Sequence, residues 1–245
     1  MQINQLKSLF IGLLAASLLA GCATTQSSRD PLEGVNRGIY KFNDMADKAV
    51  LKPVAGVYKA VVPDMARSGI GNFFSNLGEA ITVANDLLQF KFDDAMTGAG
   101  RFAINSTFGV GGLIDWASKD GIQRHKEDFG QTLGAWGWKD SSYLVLPLFG
   151  PSTVRDTTGE LVDGFAFDPI GYAHPRQRNI LNLTKGVDKR AQYLPGSDLL
   201  DEAALDPYIF MRDAYMQRRN AQITDGEGKA SDDSIENDAD MPAPK

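Results

Sequence analysis

Residues 102–114, FAINSTFGVGGLI, run for thirteen positions without a charge. A helix needs roughly 18–20 apolar residues to cross a bilayer, so this stretch is too short to span one, and Asn105, Ser106 and Thr107 interrupt it. Residues 68–78 and 141–154 are uncharged in the same way and equally short. Segments of this kind either form the core of a soluble domain or lie in one face of a membrane without crossing it. Periodicity alone leaves both readings open.

Outward from that stretch the period is helical. Val35, Ile39, Phe42, Met45, Ala46 and Ala49 recur at steps of three and four, with Arg37, Lys41, Asp44 and Asp47 opposite. The pattern predicts an amphipathic helix that Pro53 should stop. Met65, Ile70, Phe73, Phe74 and Leu77 predict a second helix, loosened by Gly69 and Gly71; Ile81, Ala84, Leu87 and Leu88 predict a third. Phe92, Ala95, Met96, Ala99, Phe102 and Ala103 carry a fourth to Asn105. Further on, Ile180, Leu181, Thr184, Val187 and Ala191 share a face, and Asp206-Pro207 is an N-cap and first-turn pair for a last helix through Arg219. Residues 143–149 are the one strand candidate. Pro147 breaks them and Gly150-Pro151 closes them, so they read as a hairpin-like loop rather than a sheet, and the fold class is all-α.

The chain opens with Lys7, an uncharged run over residues 9–20, and Leu19-Ala20-Gly21-Cys22, which ends at its only cysteine. Twelve apolar-biased residues are a secretory leader rather than a span. The leader resembles a bacterial lipobox, which implies cleavage before Cys22 and acylation of its sulfur and new amino group; an ordinary leader with an incidental cysteine is the competing reading. Ala23, followed by Thr24, stands where lipoproteins held at the inner membrane usually carry Asp, so the resemblance to sorted lipoproteins favours the outer membrane. Cleavage leaves 224 of the 245 residues, enough for one domain with a real core and no thiol for a disulfide. The net charge of −6 is concentrated in residues 221–245, which hold seven acidic and two basic residues with little to bury, and predict disorder. The organisation expected is a leader over 1–21, an acylated linker over 22–29, one helical domain over 30–220 and an acidic tail over 221–245. Nothing in the charge pattern points to nucleic acid.

The sequence offers little for catalysis. His125 and His174 are the only histidines, without a metal-binding spacing, and His125 beside Lys126 and Glu127 reads as a solvated loop residue. No Gly-x-Ser-x-Gly elbow occurs, and no Lys-Ser or Lys-Thr follows the glycines at 109–112, so ATP hydrolysis is not expected. The tail aspartates lack the spacing of a calcium loop. Glu127-Asp128 and Asp163 with Asp168 read as caps and surface charges. Arg155-Asp156 and Arg212-Asp213 are either structural ion pairs or phosphate ligands. A non-enzyme without metal or cofactor is the expectation.

The blocks DPLEGVNRGIYKFND from Asp30, KPVAGVY from Lys52, NFFSNL from Asn72, RFAINSTFGVGGLID from Arg101, EDFGQTLGAWG from Glu127, YLVLPLFGPSTVRD from Tyr143 and LDPYIFMRDAYMQRR from Leu205 cover nearly the whole mature body in order. Together they resemble the MlaA (VacJ) family of phospholipid-trafficking lipoproteins. Gly78-Glu79-Ala80 stands where a proline is common, a departure expected to matter little. Trp138-Lys139-Asp140-Ser141-Ser142 replaces the usual Gly-Pro and should alter that loop. The resemblance implies a ring-like set of amphipathic helices lying in the periplasmic leaflet of the outer membrane around a central amphipathic channel. It implies a passive extractor of phospholipid mislocalised to the outer leaflet, beside a porin trimer, handing lipid to a periplasmic carrier that feeds an inner-membrane transporter.

Asn105, Ser106 and Thr107 with Gly109, Gly111 and Gly112 are candidates for the channel wall, because small polar residues beside glycines allow close passage; ordinary helix-end residues would look the same. The resemblance places Phe42 and Asn43 near the pore. Tyr143, Leu146, Pro147, Leu148 and Phe149 are candidates for an apolar gate, with core packing the alternative. An adaptor that binds protein partners through an apolar patch and moves no lipid is the competing function.

Overall fold

The first predicted helix does not stop at Pro53. In the computed structural model, which describes residues 30–203 and 205–224 apart from the side chains of 195–203, α1 (Glu33–Ala46) passes through one wide π turn (Asp47–Leu51) into α2 (Lys52–Val61), where Pro53 occupies the first turn. A first-turn proline has no intrahelical N–H bond to lose, and the widened turn before it accommodates the ring. The leader, the linker with Cys22 and residues 225–245 of the expected acidic tail lie outside the described residues, whereas residues 221–223 continue the last helix past Arg219 instead of starting the tail.

The second and third predicted helices are one. α3 (Asp64–Leu88) runs for 25 residues through Gly69, Gly71 and Gly78. Gly71 is a close-approach site rather than a weak point, since a Cβ there would sit 3.2 Å from the Gln192 amide. A three-residue turn with Phe90 at φ 62° reverses the chain into α4 (Phe92–Thr107), which packs antiparallel along α3. The turn is closed by the N–H groups of Gln89 and Lys91 donating to the carbonyls of Asn85 and Asp86.

Beyond α4 the glycines at 109–112 fold the chain back, with Val110, Gly111 and Gly112 all at positive φ. Short helices α5 (Trp116–Lys119) and α6 (Phe129–Ala135) follow, started by the side chains of Asp115 and Asp128 accepting from Ser118 and Gln131 N–H. Residues 143–149, expected as a loop, contain a real strand. β1 (Tyr143–Leu146) pairs antiparallel with β2 (Gly150–Thr153), Tyr143 opposite Thr153 and Leu146 opposite Gly150. Pro147 sits in the tip and so removes no ladder donor, while Leu148 and Gly150 take the positive φ the turn requires. Thr153 caps α7 (Val154–Val162). A π turn (Asp163–Phe167) and a 3-10 turn (Pro169–Tyr172) then lead to α8 (Pro175–Ala203) and α9 (Pro207–Ile223), whose cap is Asp206 as the sequence indicates. The protein is mostly helical, and no helix among the described residues is long and apolar enough to cross a membrane.

The apolar core is small. Tyr143, Val145 and Tyr208 form it under the hairpin, with Ile39, Tyr40, Met211, Tyr215 and Met216 packed around them. Elsewhere, buried side chains are mainly polar or charged, whereas Val61, Met65, Phe90, Met96, Phe108 and Phe149 stand exposed.

Candidate functional site

α3 turns a polar face inward. Asn76, Glu79, Thr82, Asn85 and Asp86 follow helical spacing and all are buried. Arg101 on α4 answers them. Its guanidinium, 1% exposed, lies 3.2 Å from Glu79, 3.1 Å from Asp115 and 3.2 Å from the Ser118 hydroxyl, and also donates to the Ile122 carbonyl. Arg124 reaches the same Glu79 at 3.2 Å. Glu79, at a departure expected to matter little, is thus the hub of a buried ion network. Burial opposes ionisation of Asp115, but hydrogen bonds from Ser118 and Asn105 and the charge of Arg101 bring its carboxyl down to about 2.

Further along, Asn85 donates to Asp163 at 2.9 Å and accepts from the Thr132 hydroxyl at 2.7 Å. Burial pushes Asp163 up to about 6 against hydrogen bonds from Phe129 N–H and Asn85. His125, read as solvated, is bonded to the buried Asp86 at 2.7 Å. A second network joins Arg155 and Arg219 to Asp156, Arg219 to Asp128 and Tyr215 to Asp156. Arg155 also donates to the carbonyls of Trp138 and Lys139, so the unusual loop before β1 is held from inside. Arg155-Asp156 and Arg212-Asp213 are ion pairs within the fold. Three acceptors on the inner face of α3, one oxygen each of Asn76, Glu79 and Asp86, have no partner among the described residues.

Where α2, α3 and α8 meet, the interior opens as a cleft of about 470 Å³. Ser68, Gly71, Asn72 and Ser75 form one wall, a stripe of small side chains at the i, i+3, i+4, i+7 spacing of one helix face. Lys59, Arg67, Asp64 and Asp188 bring charges of both signs, with Ala191 and Gln192 completing the lining. Asp188 is held by the Tyr58 hydroxyl at 2.9 Å and Gln192 at 2.7 Å. Burial together with that hydrogen bond pushes the Tyr58 phenol up to about 12.

The residues expected in the channel wall stand beside this cleft rather than in its lining. Asn105 is buried, donating to Asp115 at 3.0 Å and accepting from Ala117 N–H at 3.0 Å. Ser106 accepts from Asn76, and the exposed Thr107 hydroxyl donates to the Ala103 carbonyl in its own helix. Gly109 and Gly112 are where the loop closes: a Cβ on Gly112 would meet the Asn76 side chain at 2.7 Å, while Gly111 faces open space. The loop reaches the cleft through Asn72, which donates to the Leu113 carbonyl at 3.1 Å.

Phe42 is exposed, and Asn43 joins the other candidate group, the hairpin. Its amide donates to the Leu146 carbonyl at 2.9 Å and accepts from Leu148 N–H at 2.8 Å. Asn36, one heptad earlier, does the same for Tyr143 and Val145 at 3.1 and 3.0 Å. Asn36 therefore stands in for a third strand at the free edge of β1, and Asn43, on the same face of α1, holds the hairpin tip. Of the gate candidates, Tyr143 lies in the core, Leu146 is half-buried, and Pro147, Leu148 and Phe149 project from the tip. Sequence reading missed the cleft residues, although the 68, 71, 72, 75 stripe was legible. No group of acidic, His or Cys side chains among the described residues is arranged to hold a metal.

The model of the MlaA lipoprotein family matches residues 28–222. The Escherichia coli intermembrane phospholipid transport system lipoprotein MlaA is 38% identical over 224 residues, covering 88% of each chain. The Haemophilus influenzae protein of the same name is 34% identical over 242 residues, covering 95% of this chain and 96% of its own. A Rickettsia prowazekii relative, the uncharacterized protein RP093, is 36% identical over 196 residues, 79% of this chain and 78% of its own. A solved structure described as "Structural basis for maintenance of bacterial outer membrane lipid asymmetry" is similar at TM-score 0.71 and 36% identity, covering 81% of this chain and all of that one.

Proposed function

The chain belongs to the MlaA lipoprotein family, and we propose that it is a passive conduit that removes phospholipid from the outer leaflet of the outer membrane and passes it to a periplasmic carrier. The observation that carries this reading is the reversal of the usual distribution: charged and polar side chains inside, large apolar ones outside. In water that arrangement forfeits the apolar burial that holds most domains together. Against lipid it costs little, because the exposed Val, Met and Phe side chains stay in hydrocarbon while helices satisfy their own backbone.

The interior serves a headgroup for the complementary reason. Moving an unpaired polar group into hydrocarbon costs several kcal/mol, on the order of 2–7 for a neutral amide or hydroxyl and far more for an ion. The cleft walled by Ser68, Asn72, Ser75 and Gln192 replaces water with polar partners. Helices lying as a ring in the periplasmic leaflet, acylated at Cys22 and seated beside a porin trimer, would keep this passage at the membrane surface. Three acyl chains, at about 0.8 kcal/mol per buried CH₂, would make that tether effectively permanent.

No step of this work needs bond chemistry by the protein. Deleting the gene and measuring phospholipid on the cell surface tests the reading: surface phospholipid should rise and return to normal on complementation. An unchanged level in a strain whose parent expresses the protein normally would instead favour an adaptor that moves no lipid. Cys22→Ser should lose outer-membrane fractionation and fail to complement.

A further inference from the structure

The cleft between α2, α3 and α8 carries balanced charge. Lys59 and Arg67 contribute two cations, Asp64 and Asp188 two carboxylates, and its remaining lining is small or neutral. The four charges are not equivalent. Arg67 is paired with Asp64 one helical turn away and donates to the Lys59 carbonyl, which fixes its guanidinium at the cleft. Lys59 makes no ion pair among the described residues, so its ammonium is free for a ligand. Asp188 is 3% exposed and oriented by Tyr58 and Gln192, a carboxylate fixed in the wall rather than a mobile surface charge.

Two further features belong to the same corner. α3 starts there without a capping side chain, so its first N–H groups add a fixed positive potential to that of Lys59 and Arg67. Val61 and Met65, 74% and 87% exposed, flank the turn that joins Lys59 to Arg67. An anion-binding end, a buried carboxylate across a polar gap and an apolar rim together describe one kind of ligand.

We propose that this cleft is a headgroup subsite selective for zwitterionic phosphoethanolamine lipids, with the phosphodiester held by Lys59, Arg67 and the α3 N-terminus, the ligand's ammonium by Asp188, and the acyl chains leaving over Val61 and Met65. The inference rests on the transport reading and deepens it by naming a preferred cargo. An anionic glycerol headgroup satisfies the cationic end but leaves Asp188 without a counter-charge. A choline headgroup carries the positive charge but no N–H to donate to the carboxylate. Charge-assisted hydrogen bonds contribute about 1.5–3 kcal/mol, so a preference of about tenfold or more is expected.

The test uses the full-length acylated protein in detergent micelles, with dihexanoyl phosphatidylethanolamine, phosphatidylglycerol and phosphatidylcholine titrated by calorimetry, and glycerophosphoethanolamine as a probe without tails. The ethanolamine lipid should bind about tenfold tighter than the other two. Asp188→Asn, which keeps a group able to accept from Tyr58 or Gln192, should remove that preference by weakening ethanolamine lipid alone. Lys59→Gln, on an exposed side chain whose loss leaves the fold intact, should weaken all three lipids together.

Equal binding of the three lipids by the native protein overturns the proposal, as does equal weakening of all three by Asp188→Asn. Binding of glycerophosphoethanolamine as tight as that of the lipid overturns the lipid assignment. If Asp188→Asn does not fold, the native preference and Lys59→Gln still decide. Loss of selectivity with a normal rise of surface phospholipid in the deletion strain rejects this subsite and leaves the transport reading intact; no such rise rejects the transport reading itself.

Discussion

Arg101 shows what a buried charge does here. It is enclosed with Glu79, and together they hold α4 against α3 while Asp115 ties in the following loop. Removing one partner of such a pair leaves the other charge uncompensated, at a cost of about 3–5 kcal/mol. Arg101→Met should therefore lower stability in chemical denaturation by about that amount, and adding Glu79→Leu should recover part of the loss by removing the fully buried carboxylate, while Asp115 keeps its hydrogen bonds from Asn105 and Ser118. Asp163 gives a pH signature. Its folded-state value near 6 lies above the unfolded 3.8, so the native state holds the proton more tightly and this group's contribution falls as pH rises from about 4 to about 6. Asp163→Asn should remove that decline, worth up to about 3 kcal/mol, so that thermal stability between pH 4 and 7 falls less steeply than in the native protein. An unchanged slope would show that Asp163 does not titrate in this window.

At the scale of elements, α1 and the hairpin form one unit through Asn36 and Asn43. Asn36 is buried and also donates to Asp30 at 2.9 Å, whereas Asn43 serves the tip, where solvent can replace it. Asn43→Ala should speed hydrogen exchange at Leu148 N–H by about two- to tenfold with little change in global stability, since one exposed hydrogen bond contributes about 0.5–1.5 kcal/mol. Asn36→Ala should cost about 1–3 kcal/mol overall, because it strands buried donors and acceptors. Much at this scale was legible in the sequence. The Asp206-Pro207 start of α9 and the helical runs at Phe92 and Val35 follow from local chemistry, a cap or an apolar stripe. Pro53 and Gly71 misled because their cost is offset in ways a helical period does not show: a widened turn just before the proline, and the approach of α8 at Gly71. The β1 and β2 pairing escaped because four residues a side carry too little alternation, and the edge that stabilises them comes from asparagines more than 100 residues away.

For the whole molecule, the exposed apolar surface is the property to test. Phe108 and Val110 stand on the glycine loop, 73% and 65% exposed. Replacing both by Ser should weaken partition of the protein into phospholipid vesicles by about 1.5–3 kcal/mol per side chain if they insert fully into lipid. Stability in detergent should change by no more than about 0.5 kcal/mol. If vesicle binding were unchanged, this part of the surface would not face lipid. Cleft variants should behave in the opposite way, leaving partition unaltered and changing what the protein carries.

Sequence alone determined the short uncharged runs, the scarcity of histidine and cysteine and the family resemblance, because each is local or cumulative along the chain. It could not determine which face of each helix turns inward. An amphipathic stripe has the same spacing whether its apolar side meets a core or a membrane, and only packing of α3 against α4 and α8 shows that the polar side is enclosed. The cleft was hidden for the same reason: Lys59, Arg67 and Asp188 come from three helices, and their meeting depends on chain geometry that no single segment encodes.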